Sequence, residues 1–168
     1  MHRGRAGRGT PLTRSRRLTG LLYTTAGIAY AFDRLTKWQA EEHLAGRPPI
    51  ELIPGVLQLR YTTNPGGAFG LFGGLTWLFV AVSVVVIVVV LLASRDLPGP
   101  FPAVGLGLVL AGAVGNLTDR LIRGPRFSGE VVDFIDLHVW PVFNLADSAI
   151  VVGAAILLVH GLRRHEPG

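Results

Sequence analysis

The sequence predicts an all-α membrane protein of four transmembrane helices, with a short strand or hairpin between the first and second. Three observations predict it. Of 168 residues, 49% are hydrophobic, and the mean hydropathy is positive at +0.46. The run Leu75–Ala93 carries no charge and is long enough to cross about 30 Å of hydrocarbon, a kind of run that soluble domains lack. Polar residues crowd the ends of the apolar runs: Asp133, Asn144 and Asp147 stand just before Ala149–Val159. An Asp at the centre of a membrane helix costs about 2.5–3.5 kcal/mol on insertion scales, so ionisable groups near membrane depth usually carry a role.

The chain opens with a basic tail, residues 1–17, holding Arg3, Arg5, Arg8, Arg14, Arg16 and Arg17. An Arg/Gly run could bind RNA or anionic lipid, and Ala29-Tyr30-Ala31 resembles a signal-peptide cleavage site. The polar cluster directly beyond Ala31 favours a third reading: a disordered cytoplasmic anchor that orients the first span. With no cysteine in the chain, thiol catalysis, disulfides and thiolate metal sites are excluded.

Span one covers about Leu18–Phe32, or extends from there towards Trp38, and is softened by Thr24, Thr25 and Gly27. Residues 39–74 are polar and rich in Gly and Pro, and IELIPGVLQLRYTTN within them alternates as a strand or hairpin against the membrane would. Span two is Leu75–Ala93, and Ser94–Pro102 is a turn. Span three runs from about Ala103 to Ile122, with small residues at Gly107, Ala111 and Gly115 that suit close helix packing in lipid. A second polar loop, 123–141, leads to span four, about Phe143–Leu162, and the last residues, 163–168, form a short tail.

Four spans put both ends on one side. The dense tail abuts span one, so both termini are expected in the cytoplasm. Asp33 and Lys37, Asn64, Asn116 with Asp119 and Arg120, and Asn144 with Asp147 then all fall on the outer face. That convergence points to one site. Asp33 and Lys37, at i and i+4, can form an interfacial ion pair or orient site groups. Arg120 can snorkel to headgroups or hold a carboxylate or carbonyl with its fork. Asn144 can be the N-cap of span four with Asp147 three residues on, which is compatible with a chemical role for both. Asp133 and Asp136, three apart, are not told apart by spacing.

No HExxH motif and no G-x-S-x-G elbow is present, and the histidines are scattered. Two aspartates sharing one proton can instead work as base and acid: one deprotonates water for attack on an amide carbonyl, and the other protonates the oxyanion. An ion-coupled transporter could use the same groups, but transport sites sit near the midplane, whereas these crowd one end. A non-catalytic scaffold would account for the small residues of span three but not for the convergent aspartates.

Five ordered blocks, Asp33-Arg-Leu-Thr-Lys37, Asn64-Pro-Gly-Gly-Ala-Phe69, Gly115-Asn-Leu-Thr-Asp-Arg120, Val131-Val-Asp-Phe134 and Phe143-Asn-Leu-Ala-Asp147, resemble those of the lipoprotein signal peptidases (signal peptidase II). These are bacterial inner-membrane aspartyl peptidases. The resemblance covers roughly residues 18–162. It implies that Asp133, in preference to Asp136, forms a catalytic dyad with Asp147. Asn64, Asn116, Arg120 and Asn144 would support substrate or dyad, with Asp33, Lys37 and Gly112 as further site or scaffold positions. It implies an extracytoplasmic β-cradle between spans one and two and a periplasmic helix elsewhere in the outer loops. The substrates it implies are diacylglyceryl-modified prolipoproteins, cut just before the lipidated lipobox cysteine. It implies no metal or cofactor, no nucleic-acid partner and a monomer in membrane lipid. The chain departs from the family pattern in a longer Arg120–Asp133 segment, in Gly70 where Ser is frequent, and in its longer basic tail.

Overall fold

The computed structural model describes residues 11–66, 76–125 and 129–164. In chain order these form α1 (Pro11–Leu44), β1 (Ile50–Ile53), β2 (Leu57–Asn64), α2 (Thr76–Ala93), α3 (Pro100–Ile122), β3 (Val131–Asp136) and α4 (Leu145–Arg164). Helices α2, α3 and α4 are each long and apolar enough to cross a membrane. Their bounds follow the hydropathy of the sequence to within about three residues.

Helix α1 differs from its expected form at both ends. It begins at Pro11, inside the basic tail expected to be disordered to residue 17, and proline at a first helical position is pre-set for the helix. It also runs on without a break past Phe32 to Leu44, where Gly46 at φ +69° turns the chain away. The polar stretch does not end the helix because its charges are met by α3: Arg34 and Lys37 both pair with Asp119.

Helix α3 is the hub, packing against α1, α2 and α4. Small residues make that possible. A Cβ on Gly107 would lie 2.6 Å from the Leu22 carbonyl oxygen, and one on Gly115 would lie 2.6 Å from Asp33 Oδ2. Gly105 and Gly153 face each other's carbonyls across α3 and α4. Leu22, Ala26, Val90, Ala103, Leu110 and Ala111 form the apolar core among α1, α2 and α3. A second cluster, Ala40, Leu44, Val132 and Phe134, joins the far end of α1 to the sheet.

The sheet is antiparallel in the order β1-β2-β3. It does not come only from the segment between the first two helices, as the expected cradle did. Its third strand lies in the 123–141 loop. Val131–Phe134 are buried on both faces of that strand, so the run VVDF reads as a core strand and not as a polar loop. The register pairs Thr62 with Asp133 and Asn64 with Val131, across an irregularity between Leu59 and Thr62. Phe143 then bridges to Ile135, which brings the start of α4 beside β3. Among the described residues the segments between α1 and α2 and between α3 and α4, where a further helix was expected, contain no helix of two or more turns; residues 67–75 and 126–128 lie outside that statement.

Candidate active site

The start of α4 is built by two carboxylates and an amide. The first N–H groups of a helix have no partner within it and must find one elsewhere. Asp147 N–H donates to Asn144 Oδ1 at 2.9 Å, and Asn144 N–H donates to Asp147 Oδ2 at 3.2 Å. This is a reciprocal cap in which Asp takes the place of Glu. Ala146 N–H donates to Asp33 Oδ1 at 3.0 Å, so α1 also holds the end of α4.

The cap leaves the amide nitrogen of Asn144 free for other work. It donates to Asp133 Oδ1 at 2.6 Å and lies 3.2 Å from the Val132 carbonyl. The other Asp133 oxygen accepts from Asn64 Nδ2 at 3.2 Å. Asn64 is in turn held by Gly66 N–H, which donates to its Oδ1 at 3.0 Å. Asn144 therefore joins Asp133 and Asp147 through one side chain. Burial first, and then the charge of Asp147, push Asp133 up to about 7, against the pull of the Asn64 and Asn144 hydrogen bonds.

Asp136, three residues on, has the opposite setting. Gln58 Nε2 donates to its Oδ2 at 2.8 Å, Arg60 pairs with it at 2.6 Å, and His138 N–H donates to Oδ1 at 2.8 Å. These partners, Gln58 foremost, hold it down at about 2. Asp136 is an ionised strut that ties β2 to the β3 turn.

Beneath Asp147, Asn116 Nδ2 donates to Asp147 Oδ1 at 2.8 Å, while Asn116 Oδ1 accepts from Lys37 Nζ at 3.1 Å. Lys37 is completely buried and also contacts Asp33 Oδ2 at 3.0 Å and Asp119 Oδ2 at 2.8 Å. The expected Asp33–Lys37 pair is thus present, but as part of a larger buried cluster. Arg120 is buried, donates from Nη1 to the Asn116 carbonyl at 3.1 Å, and stacks over the Phe79 ring at 5.4 Å. Its Nε meets no hydrogen-bond partner among the described residues, and no carboxylate there pairs with it. Gly112 brings no functional group. It lets α3 lie directly against the Ala146 carbonyl and Ile150.

Asp133, Asp147, Asn64, Asn116, Asn144, Asp33 and Lys37 are therefore linked by direct contacts, Arg120 joins through the Asn116 backbone, and Gly112 joins by packing. Gly67, Ala68 and Phe69 of the second block, and Gly70, lie outside the described residues. Sequence reasoning placed Asp119 among the converging polar groups but gave it no role. It is completely buried and takes Lys37, Arg34 and Arg123 as partners. A carboxylate within an apolar helix, four residues before Arg123, was a signal that could have found it. Among the described residues no three His, Asp or Glu side chains are grouped so as to hold a metal ion.

An open, mostly apolar groove of about 400 Å³ reaches this cluster. Leu137, Trp140, Phe143, Val151 and Val152 line it, with Asp147 and Ser148 at its polar edge. Apolar helices around α3 with a groove ending at a carboxylate describe a membrane protein with a place for chemistry. The signal peptidase (SPase) II family model matches residues 25–163. The lipoprotein signal peptidase of Rhodococcus jostii (strain RHA1) is 47% identical over 158 residues, covering 94% of this chain and 79% of the relative. That of Desulfitobacterium hafniense (strain DSM 10664 / DCB-2) is 40% identical over 142 residues, 83% of this chain and 91% of the relative. A solved structure described as a bacterial membrane enzyme, obtained by the in meso method at 2.3 Å resolution, superposes with a TM-score of 0.78 at 27% identity. It covers 88% of this chain and 90% of that one. The chain belongs to the signal peptidase II family, and so to the membrane peptidases.

Proposed function

We propose that the protein is an aspartyl endopeptidase of the bacterial cytoplasmic membrane that removes signal peptides from diacylglyceryl-modified prolipoproteins. It cuts just before the lipidated lipobox cysteine. The names of the relatives, lipoprotein signal peptidase, support the substrate class. The observation that carries the chemistry is the junction at Asn144, which holds Asp133 by its amide nitrogen and caps Asp147 by its amide oxygen.

Asp133 and Asp147 act as a pair. With one proton between them, the ionised carboxylate takes a proton from water as the water oxygen bonds to the scissile carbonyl carbon. The protonated carboxylate gives its proton to the carbonyl oxygen. When the tetrahedral diol collapses, the C–N bond breaks, the leaving nitrogen takes the proton that came from water, and the carboxylate that gave up its proton takes one back from a diol hydroxyl, which restores the single shared proton. Arg120, whose buried Nε meets no hydrogen-bond partner among the described residues, and Asn64 serve the substrate side. The pair titrates as a unit.

In this reading α1 is the first of four spans, the termini are cytoplasmic, and the sheet lies on the outer surface. Leu21, Leu22, Ala26, Ala29 and Tyr30 of α1, packed into the helical core, support its membrane placement, as does the basic stretch Arg14–Arg17 at its start. Two acyl chains, at about 0.8 kcal/mol per buried methylene, confine the scissile bond to the membrane plane. In this reading the apolar groove at Asp147 receives the substrate at that plane, and the enzyme works as a monomer without metal or cofactor.

The test is cleavage of a purified lipobox substrate in detergent, with and without the diacylglyceryl group, by wild type and Asp147→Asn. Wild type cuts only the lipidated form, and the variant does not cut it. Turnover of the unlipidated form at equal rate would overturn the substrate class, and an active Asp147→Asn would overturn the pair.

A further inference from the structure

We infer that Lys37 and Asp119 are positioning residues that set the amide orientation of Asn116 and, through it, the placement of Asp147. The inference rests on the reading of Asp133 and Asp147 as the working pair.

An asparagine side chain has two faces, one that accepts and one that donates. Turned one way, Asn116 offers N–H to Asp147; turned the other, it sets its carbonyl oxygen against a carboxylate. An ammonium resolves the choice because it donates only. Lys37 Nζ lies 3.1 Å from Asn116 Oδ1, which leaves the amide nitrogen for Asp147 Oδ1 at 2.8 Å. Asn144 Nδ2, 3.3 Å from the same Asn116 oxygen, favours the same orientation. Asp147 then receives two N–H groups, one on each oxygen, from Asn116 and from the Asn144 backbone.

Lys37 can hold this post only while it stays charged and still. It has three protons, and three oxygens lie within 3.1 Å: those of Asn116, Asp33 and Asp119. Asp33 is shared, since its other oxygen accepts from Ala146 N–H. Asp119 is the more committed counter-charge. Its Oδ1 is taken by Arg34 and by Arg123, at 3.1 Å for the latter, which turns Oδ2 to Lys37 at 2.8 Å. Arg123 is itself fixed by two hydrogen bonds to Glu41, at 2.9 and 3.1 Å. A bidentate clamp at the helix end thus passes through Asp119, Lys37 and Asn116 to the carboxylate at the start of α4. Asp119 has no contact with either member of the pair, and the shortest chain of side-chain contacts from it to Asp147 runs through Lys37 and Asn116.

The experiment is a double-mutant cycle in the full-length enzyme with the lipidated lipobox substrate. The variants are Asn116→Ala, Lys37→Met, Asp119→Asn, and Asn116→Ala combined with each of the others. Melting temperatures run in parallel and Asp147→Asn serves as reference. Misplacing a reacting group by about 1 Å can cost about 100-fold in rate. Each single substitution is therefore expected to lower kcat by about 10- to 100-fold with KM within about twofold. Added to Asn116→Ala, Lys37→Met or Asp119→Asn lowers kcat by less than about a further twofold, because the route is already cut. Effects that multiply, or a wild-type kcat in Asn116→Ala or in Asp119→Asn, would overturn the relay. If Lys37→Met does not fold, the near-isosteric Asp119→Asn carries the cycle alone. An inactive Asp147→Asn beside multiplying effects removes only the relay, whereas an active Asp147→Asn removes the pair on which it rests.

Discussion

Asn144 and Asp147 cap one another, with Asp147 N–H on Asn144 Oδ1 at 2.9 Å and Asn144 N–H on Asp147 Oδ2 at 3.2 Å. The side chain that starts α4 also holds Asp133 at 2.6 Å, so the helix cap and the proposed chemistry depend on one residue. Loss of an N-cap side chain costs about 1 kcal/mol, and an unpaired buried acceptor adds about 1–3 kcal/mol. Asn144→Ala is expected to lower the melting temperature and to reduce kcat by a factor of at least about 100. Asn144→Ser is expected to recover the cap and the part of the melting temperature that the cap supplies, but not the kcat, since a hydroxyl cannot span from α4 to Asp133. Recovery of both by Ser would show that Asn144 acts through the helix alone.

The proposed pair makes a direct prediction. Asp133→Asn and Asp147→Asn each keep side-chain volume while removing a proton site. Each is expected to abolish cleavage of the lipidated substrate while the protein still purifies as a folded species with a cooperative melt. Turnover near wild type in either variant would end the assignment of that residue.

The pH dependence follows from burial. Asp133 is raised to about 7 in the folded protein, against about 3.9 for an ordinary Asp. A raised carboxylate binds its proton more tightly folded than unfolded. Its stabilising contribution is present below about 4 and is lost as pH rises through 7. Melting temperatures of wild type are expected to fall between pH 5 and 8 more steeply than those of Asp133→Asn, and kcat to decline above about pH 7 as the pair gives up its shared proton. Asp136, lowered to about 2, acts in the other direction: its contribution is present above about 4 and is lost as pH falls through 2. Parallel melting curves for wild type and Asp133→Asn over pH 5–8 would mean that Asp133 is not raised.

No step of the proposed reaction uses a metal. Preincubation with EDTA or 1,10-phenanthroline, followed by its removal, is expected to leave kcat unchanged. Loss of activity that zinc restores would overturn the metal-free reaction.

Hydropathy located α2, α3 and α4 because lipid solvates a helix according to its side chains alone. The same measure misjudged α1. Asp33, Arg34 and Lys37 look like the end of a span, yet Asp119 and Asn116 of α3 and the Ala146 N–H of α4 satisfy them inside the bundle. The third strand escaped notice for a related reason. Val131–Asp136 is only six residues long, and its partner, β2, lies about seventy residues earlier, so no local pattern announces the pairing. The residues that meet around Asp147 were legible as five ordered blocks. Asp119 was not singled out, because its partners, Arg34 and Lys37 above all, are distant in sequence.

Gly112 offers a prediction about packing in place of charge. A Cβ there would collide with the Ala146 carbonyl oxygen and come within 2.5 Å of Ile150 Cγ1. The first obstacle is backbone and cannot rotate away, so α3 and α4 must part. Overpacking of this kind costs about 1–3 kcal/mol, and the residue pushed is the one before Asp147. Gly112→Ala is expected to lower the melting temperature and to reduce kcat as Asp147 moves away from Asn116. Gly27→Ala is the control, because a Cβ at Gly27 meets nothing within 4 Å. Alanine there gains about 0.5–1 kcal/mol of helix preference, so that variant should melt no lower than wild type and cleave normally. Equal melting temperatures and equal kcat for Gly112→Ala and Gly27→Ala would show that the α3–α4 contact yields without disturbing the site.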